Sequence, residues 1–251
     1  MPKILKLPKI PKLPVLPSVI IPVYRDADAL VRTLALTDFA GAELIVSSTP
    51  DDDSLASLRH DRPDIVWVDA PRGRAPQMNA GAAVARGEWL VFLHADTRLP
   101  SGWLDAIDSA SLDPGVIAGC FRFALDSPSS MARVIELGAR ARVALLGLPY
   151  GDQAIFVRRD VFDAMEGYAH LPIMEDVDLV RRLRRRGRLF RSAKPAMTSA
   201  RRWERDGWVG RTARHLMLIL LYFCGVSPAR LADLDPARRG HPQPPSGRMY
   251  L

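Results

Sequence analysis

Two short stretches hold the residues best suited to chemistry: Leu93-His94-Ala95-Asp96-Thr97 and Glu175-Asp176-Val177-Asp178-Leu179. Asp96 is an isolated acid just after the apolar run Trp89-Leu90-Val91-Phe92-Leu93. That pattern places a carboxylate at the end of a buried strand, where it suits a divalent cation. Glu175, Asp176 and Asp178 stand together at the start of a segment with helical spacing. One carboxylate to hold a cation and another to take a proton is the equipment for chemistry on a phosphorylated donor.

Such residues need elements to position them, and the first half of the chain supplies a strand-then-helix rhythm. Ser18 to Val23 reads as a strand, Asp26 to Leu36 as a helix, Glu43 to Val46 as a strand and Ser54 to His60 as a short helix. Ile65 to Val68 is again a strand, Pro76 to Arg86 a helix with Gly87 as its stop, and Trp89 to Leu93 a strand. Alternation of this kind predicts an α/β fold with a parallel, doubly wound sheet, whose ligands sit beyond the carboxyl ends of the strands. Those ends hold Pro22-Val23-Tyr24, Ser47 to Asp53, Asp69 to Arg74 and His94 to Asp96, so polar and basic residues gather on one rim.

Composition bounds the rest. A chain of 251 residues, 48% hydrophobic, is long enough for one large core with an appended helical segment. Cys120 and Cys224 lie far apart in apolar runs, without metal-ligand spacing or the density of a disulfide scaffold, which points to a reducing, cytoplasmic setting. The net charge of +7 suits nucleic acid, an anionic membrane face or a negatively charged substrate. No RNA-binding or DNA-reading signature accompanies it, so no nucleic-acid partner is expected. Much of the excess lies at Arg181 to Arg191 and at Arg201, Arg202 and Arg205. Met1 to Pro17 alternates Lys, Pro and Leu or Ile and reads as a flexible basic arm able to touch a membrane. Leu216 to Cys224 is apolar but short of the roughly 20 residues a spanning helix needs, which leaves a buried helix or one lying in the interface. The expected placement is therefore peripheral, on the inner face of the cell membrane. Residues 235–251, rich in Pro, Arg and Gly, read as a disordered tail.

Taken together, these motifs resemble the family 2 glycosyltransferases of the GT-A fold. Ser18-Val19-Ile20-Ile21-Pro22-Val23-Tyr24 is similar to the family's opening strand, His94-Ala95-Asp96 occupies the place of its Asp-X-Asp metal motif, and Glu175-Asp176 matches its catalytic pair. Gly73-Arg74-Ala75, Gln77-Met78-Asn79-Ala80-Gly81-Ala82, Leu93-His94-Ala95-Asp96-Thr97 and Gly151-Asp152-Gln153 bring the chain nearer to a small bacterial subgroup. The resemblance covers roughly Ser18 to Leu234. It implies one GT-A domain, a Rossmann-like, mostly parallel sheet with helices on both faces and a helical carboxyl-terminal segment. Residues 18–100 would form its nucleotide-sugar half and 101–234 its acceptor half.

The resemblance also implies roles. Asp96 would hold Mn2+ or Mg2+ against the diphosphate of a sugar nucleotide, while His94 would ligate the metal or the ribose, or serve as a packed structural residue. Asp176 would be the base, with Glu175 orienting it and Asp178 pairing with Arg182; the same acids complement a helix dipole. Pro22, Val23, Tyr24, Asp26 and Asn79 would line the nucleotide-sugar site. Arg74, at a helix amino terminus, suits phosphate. Gly151, Asp152 and Gln153 are assigned to the acceptor. Arg201, Arg202 and Trp203 would either close over the diphosphate or form a basic surface patch. One departure stands out: where the family has Asp-Gly-Ser after its second strand, this chain has Ser47-Ser48-Thr49-Pro50, leaving either Asp51, Asp52 or Asp53 to read the nucleobase after a local shift or the donor base to be held less selectively. The expected activity is metal-dependent, inverting transfer of a sugar to an acceptor hydroxyl or carboxyl, with a lipid acceptor suited to the basic arm and apolar helix. A sugar-phosphate nucleotidyltransferase and a non-catalytic nucleotide- or lipid-binding protein are the alternatives.

Overall fold

Residues 16–235 are described in a computed structural model of the chain, so the expected basic arm and carboxyl-terminal tail lie almost wholly outside the described residues. Four strands, β1 (Pro17–Pro22), β2 (Glu43–Ser48), β3 (Val66–Asp69) and β4 (Trp89–Phe92), are linked through helices α1 (Ala27–Leu36), α2 (Ala56–Asp61) and α3 (Arg74–Val84). They pair in parallel in the order β3-β2-β1-β4, as the strand-helix alternation predicts. Both faces of this sheet are covered. Val19 and Ile21 of β1 join one core with Leu30, Val46 and Val91, whereas Ile20 joins another with Ile45, Met78 and Leu90. Successive side chains of a strand point to opposite faces, so a strand buried on both sides must be a continuous apolar run.

The helix expected from Pro76 begins two residues earlier, at Arg74, and ends at Val84. Gly87 is thus not its stop. It lies where the chain enters β4 against β1, with its N–H donating to Ser18 Oγ at 2.8 Å. A Cβ there would come within 2.5 Å of the Ser18 backbone nitrogen and 2.6 Å of the Leu16 carbonyl oxygen, so the position needs glycine for close backbone approach.

The second half adds β5 (Thr97–Arg98), α4 (Leu104–Ser111), β6 (Val116–Asp126), α5 (Ser130–Leu146), β7 (Ile155–Arg158), α6 (Arg159–Asp163), α7 (Glu175–Arg184), β8 (Arg188–Ser199), α8 (Arg201–Asp206), α9 (Trp208–Phe223) and α10 (Pro228–Leu234). The full sheet order is β3-β2-β1-β4-β7-β6-β8-β5. β7 runs antiparallel to both β4 and β6, β6 pairs with β8 in parallel, and β5 closes the edge antiparallel to β8. Through this seam the second half reaches the rim where β1 and β4 end. The expected apolar run from Leu216 forms the later part of α9. Its Leu218 and Ile219 pack with Leu231 of α10 against Tyr150, Ile173, Met174 and Val177. Among the described residues no helix is long and apolar enough to cross a membrane.

Candidate active site

The site grows out of strand and helix ends. β4 ends at Phe92, and the turn that follows carries His94 and Asp96; the Asp96 carbonyl accepts from Ser199 N–H at 2.9 Å, tying the turn to the end of β8. Arg74 is the first residue of α3, placed there by Gly73, whose φ of +130° is glycine territory. Glu175 and Asp176 open α7 behind Met174. Their charges complement the exposed amides of that helix end.

Glu175 is 2% exposed, and Arg74 Nε meets its Oε1 at 2.7 Å. The pair joins α3 of the first half to α7 of the second. Beside it, Asp176 Oδ2 accepts from Gly151 N–H at 2.8 Å and Oδ1 from Val177 N–H at 2.8 Å. Burial opposes charge on Asp176, but Arg74 and these two amides outweigh it and hold the carboxyl below its ordinary value. A Cβ on Gly151 would lie 2.8 Å from His94 Nε2 and 3.3 Å from Asp176 Oδ2. Glycine thus lets the 3-10 turn Gly151–Gln153 settle between these two side chains. The His94 Nε2 atom is buried without a hydrogen-bond partner. Burial, reinforced by Arg74, pulls the imidazole down to about 4, so it is neutral near pH 7. Burial also pushes Asp152 up to about 6; Arg142 opposes the shift and Asp176 and Asp96 add to it.

On the other side of the cleft the Asp96 carboxylate, 6% exposed, faces Arg201 at 3.6 Å and Arg202 at 3.7 Å. Arg201 also grips Asp26 with both guanidinium nitrogens. The start of α8 is thereby folded over the end of β1. Tyr24 lies under Arg72, whose guanidinium is 4.3 Å from the ring centre. Next to it, residues of the β1–α1 turn and Asp51 to Ser54 line a cleft of about 490 Å³. Of the acids open to reading a base, Asp52 is buried and occupied by Arg25 N–H at 2.6 Å and Ser54 Oγ at 2.5 Å. Asp51 stands exposed at 4.0 Å from Arg25.

The family model of glycosyl transferase family 2 matches residues 18–140. Over these 123 of its 251 residues the chain is similar to glycosyl transferase family 2. Among solved structures, S. aureus TarS 1–349 is similar with a TM-score of 0.56 at 14% identity, over 87% of this chain and 69% of that one. The same TarS fragment in complex with UDP-GlcNAc gives a TM-score of 0.56 at 15% identity, over 73% of this chain and 58% of that one. No curated protein sequence matches the chain significantly. The likeness to TarS shows the fold, GT-A, which the mixed eight-stranded sheet shares.

Pairwise contacts link the predicted residues in two groups, Arg74 with Glu175 and Asp176 and His94 with Gly151, and Asp26 and Asp96 with Arg201 and, for Asp96, Arg202; His94 feels the charges of Arg74, Asp96, Asp176 and Arg202. The structure places several other named residues in supporting positions. Asn79 clamps the Tyr168 backbone, donating to its carbonyl and accepting from its N–H, both at 2.9 Å. Gln153 turns inward to Arg142 and to the Phe121 carbonyl at 3.0 Å each. The Trp203 indole packs toward Phe123, with Arg211 5.0 Å from its ring. Pro22 and Val23 are buried; Val23 contributes its carbonyl, which with that of Ser47 holds the Gln77 side chain at 2.6 and 2.9 Å. The ring of His215, an exposed residue of α9, stacks edge-on to Tyr150, 5.3 Å between centres.

Sequence reasoning passed over Arg142, Tyr150 and Arg72. Arg142 lies over the Tyr150 ring at 3.3 Å and donates to the Leu148 carbonyl, bracing the turn that carries Gly151 and Asp152. Tyr150 had one local signal, its place immediately before Gly151, as Arg72 had its place before Gly73-Arg74. Arg142 had none.

Asp152 gives a pH test. Its folded-state value of about 6 lies above the ordinary 3.8, so the folded state binds this proton more tightly than the unfolded chain does. The stability this proton confers is present below the ordinary value and is lost as pH rises from about 4 to about 6. Asp152→Asn should therefore melt above wild type at about pH 7.5, with the gap closing toward about pH 4. Differential scanning calorimetry across that range checks it; a gap that does not change with pH would assign the effect to packing instead.

Proposed function

We propose that the chain transfers a sugar from a nucleoside diphosphate sugar to an acceptor hydroxyl or carboxyl, with inversion at the anomeric carbon. The observation that carries this reading is Asp176: a carboxylate held by two backbone amides and kept below its ordinary value by Arg74, with Arg201 and Arg202 facing nearby Asp96. The UDP-GlcNAc bound to TarS supports the class of donor.

Asp176 accepts the acceptor's proton as the acceptor oxygen attacks the anomeric carbon, and the bond from that carbon to the diphosphate breaks with its electron pair leaving on the phosphate oxygen. Fixed cations aimed at charge that develops in the transition state stabilise it more than the ground state. In this reading Arg74, Arg201 and Arg202 supply those cations. For an acceptor that is already an ionised carboxylate no proton need leave, so dependence on Asp176 separates the two acceptor classes.

A divalent cation fits part of this site. Among the described residues no group of three or more His, Cys, Asp or Glu could hold a metal by itself. Asp96 offers one carboxylate, and His94 turns its Nε2 to Gly151. Mg2+ is commonly held by one or two carboxylates with substrate phosphates completing the shell, so a Mn2+ or Mg2+ site at Asp96 is consistent with a cation that arrives with the donor. When bound, it would supply further positive charge for the departing diphosphate. A lipid acceptor is supported by the exposed apolar side chains of α9, a helix whose opposite face packs on Val177, next to Asp176.

Asp176→Asn should leave donor affinity within a few-fold while lowering transfer to a hydroxyl acceptor by about 10²- to 10⁴-fold. Calorimetry for binding and product analysis for turnover test this; transfer close to wild type excludes Asp176 as the base. In Asp96→Asn, the manganese-dependent part of nucleoside diphosphate binding should vanish with the melting curve preserved. Metal-linked affinity equal to wild type removes Asp96 as the ligand.

A further inference from the structure

α9 has an inner face that the fold uses and an outer face that it does not. Leu218 and Ile219 point inward, to Tyr150, Ile173, Met174 and Val177. At 100° per residue, Val209, Leu216, Met217, Leu220, Phe223 and Cys224 fall on the opposite side as one stripe about 120° wide. All are exposed, Leu220 by 65% and Val209 by 70%. No acid occurs anywhere in the helix, and its two arginines, Arg211 and Arg214, lie outside the stripe. A stripe that is apolar, uncharged and turned to water is not what a helix needs merely to be soluble.

What surrounds the stripe is basic. At its carboxyl-terminal end Arg181 of α7 lies 5.7 Å from the Tyr222 ring centre and 5.5 Å from that of Phe223, and the exposed Arg184, Arg185 and Arg186 follow at and beyond the end of α7. Near its amino-terminal end stands the exposed Arg202 of α8, while Arg205 and Arg211 there share Asp206. α5 presents further exposed apolar side chains, Val134, Leu137 and Leu145, and meets α9 at Tyr150, whose ring touches both Arg142 and His215.

We infer that α9 docks, outer face inward, on an anionic membrane surface. An apolar stripe rimmed by arginines is the pattern of a helix lying in the plane of the interface, burying its apolar side at the acyl boundary while the cations meet lipid phosphates. A second copy of the chain fits the same face poorly, because two surfaces of this kind set arginine against arginine on chains that each carry +7. The docking rests on this surface and not on the transfer reaction. If both hold, the docked helix covers Val177, the residue after Asp176, with its inner face.

The full chain tests it with vesicles of phosphatidylglycerol and of phosphatidylcholine. Co-sedimentation should be strong with the first, weak with the second, and weakened by salt. Cys224 is exposed and Cys120 buried, so an environment-sensitive dye placed on Cys224 should shift to the blue when phosphatidylglycerol vesicles are added. Leu216→Glu with Leu220→Glu, at two exposed positions, should lower partitioning by at least about tenfold while melting and donor binding stay as in wild type. No binding to phosphatidylglycerol, an unshifted dye, or binding indifferent to the double variant would each overturn the inference. So would a sedimentation dimer dissolved by the same variant, which would give the face to self-association. Vesicle binding without donor binding would leave the docking standing and remove the transferase reading.

Discussion

A carboxylate as deeply buried as Glu175 is tolerable only with a cation against it, and Arg74 provides that cation at 2.7 Å. The two residues stand 101 positions apart in the chain, at the amino termini of α3 and α7. Their pairing therefore registers the first half of the sheet against the second. Its free-energy contribution is smaller than for a wholly buried pair, because Arg74 keeps 38% of its side-chain surface in water. Its geometric consequence is larger. With α7 held there, Asp176 falls beside Gly151, and the charge of Arg74 helps keep it ionised.

Everything around that pair separates charge by environment. Asp176 is held low by Arg74 and two amides despite its burial, Asp152 is pushed up to about 6 by burial, and His94 is kept neutral by burial and the same arginine. Across the cleft, Asp96 and Asp26 share Arg201. Acids and arginines thus alternate around a space that would receive a dianionic diphosphate. Neighbouring carboxylates of different protonation preference are the usual setting for proton transfer in such a site.

The sheet was legible in the sequence because its central strands are buried on both faces and so read as unbroken apolar runs; β1, β2, β3 and β4 all lie within two residues of their expected positions. Acids at strand and helix ends were legible for a related reason, since a charge directly after an apolar run has no other place to go than the rim. What stayed hidden was long-range. Arg201 gripping Asp26 spans 175 positions, and Asn79 clamping Tyr168 spans 89. Spacing along a chain carries no sign of either. Asn79, assigned to the donor, braces the chain ahead of α7, and Trp203, assigned to the diphosphate or to a basic surface patch, packs toward Phe123. Gly87 looked like a helix stop because a glycine after a helix commonly is one; its real constraint, backbone packed at 2.5 Å from a would-be Cβ, exists only once β1 and the entry to β4 are paired.

The coupling between Arg74 and Glu175 is the claim on which the account turns, and a double-mutant cycle measures it directly. Arg74→Met, Glu175→Gln and the double variant would be unfolded in urea alongside wild type. The account predicts a coupling energy of about 1–3 kcal/mol, with the double variant recovering part of what Arg74→Met loses when it leaves the buried carboxylate alone. Losses that add to within about 0.5 kcal/mol would contradict it, and would show that α3 and α7 are held in register by something other than this pair.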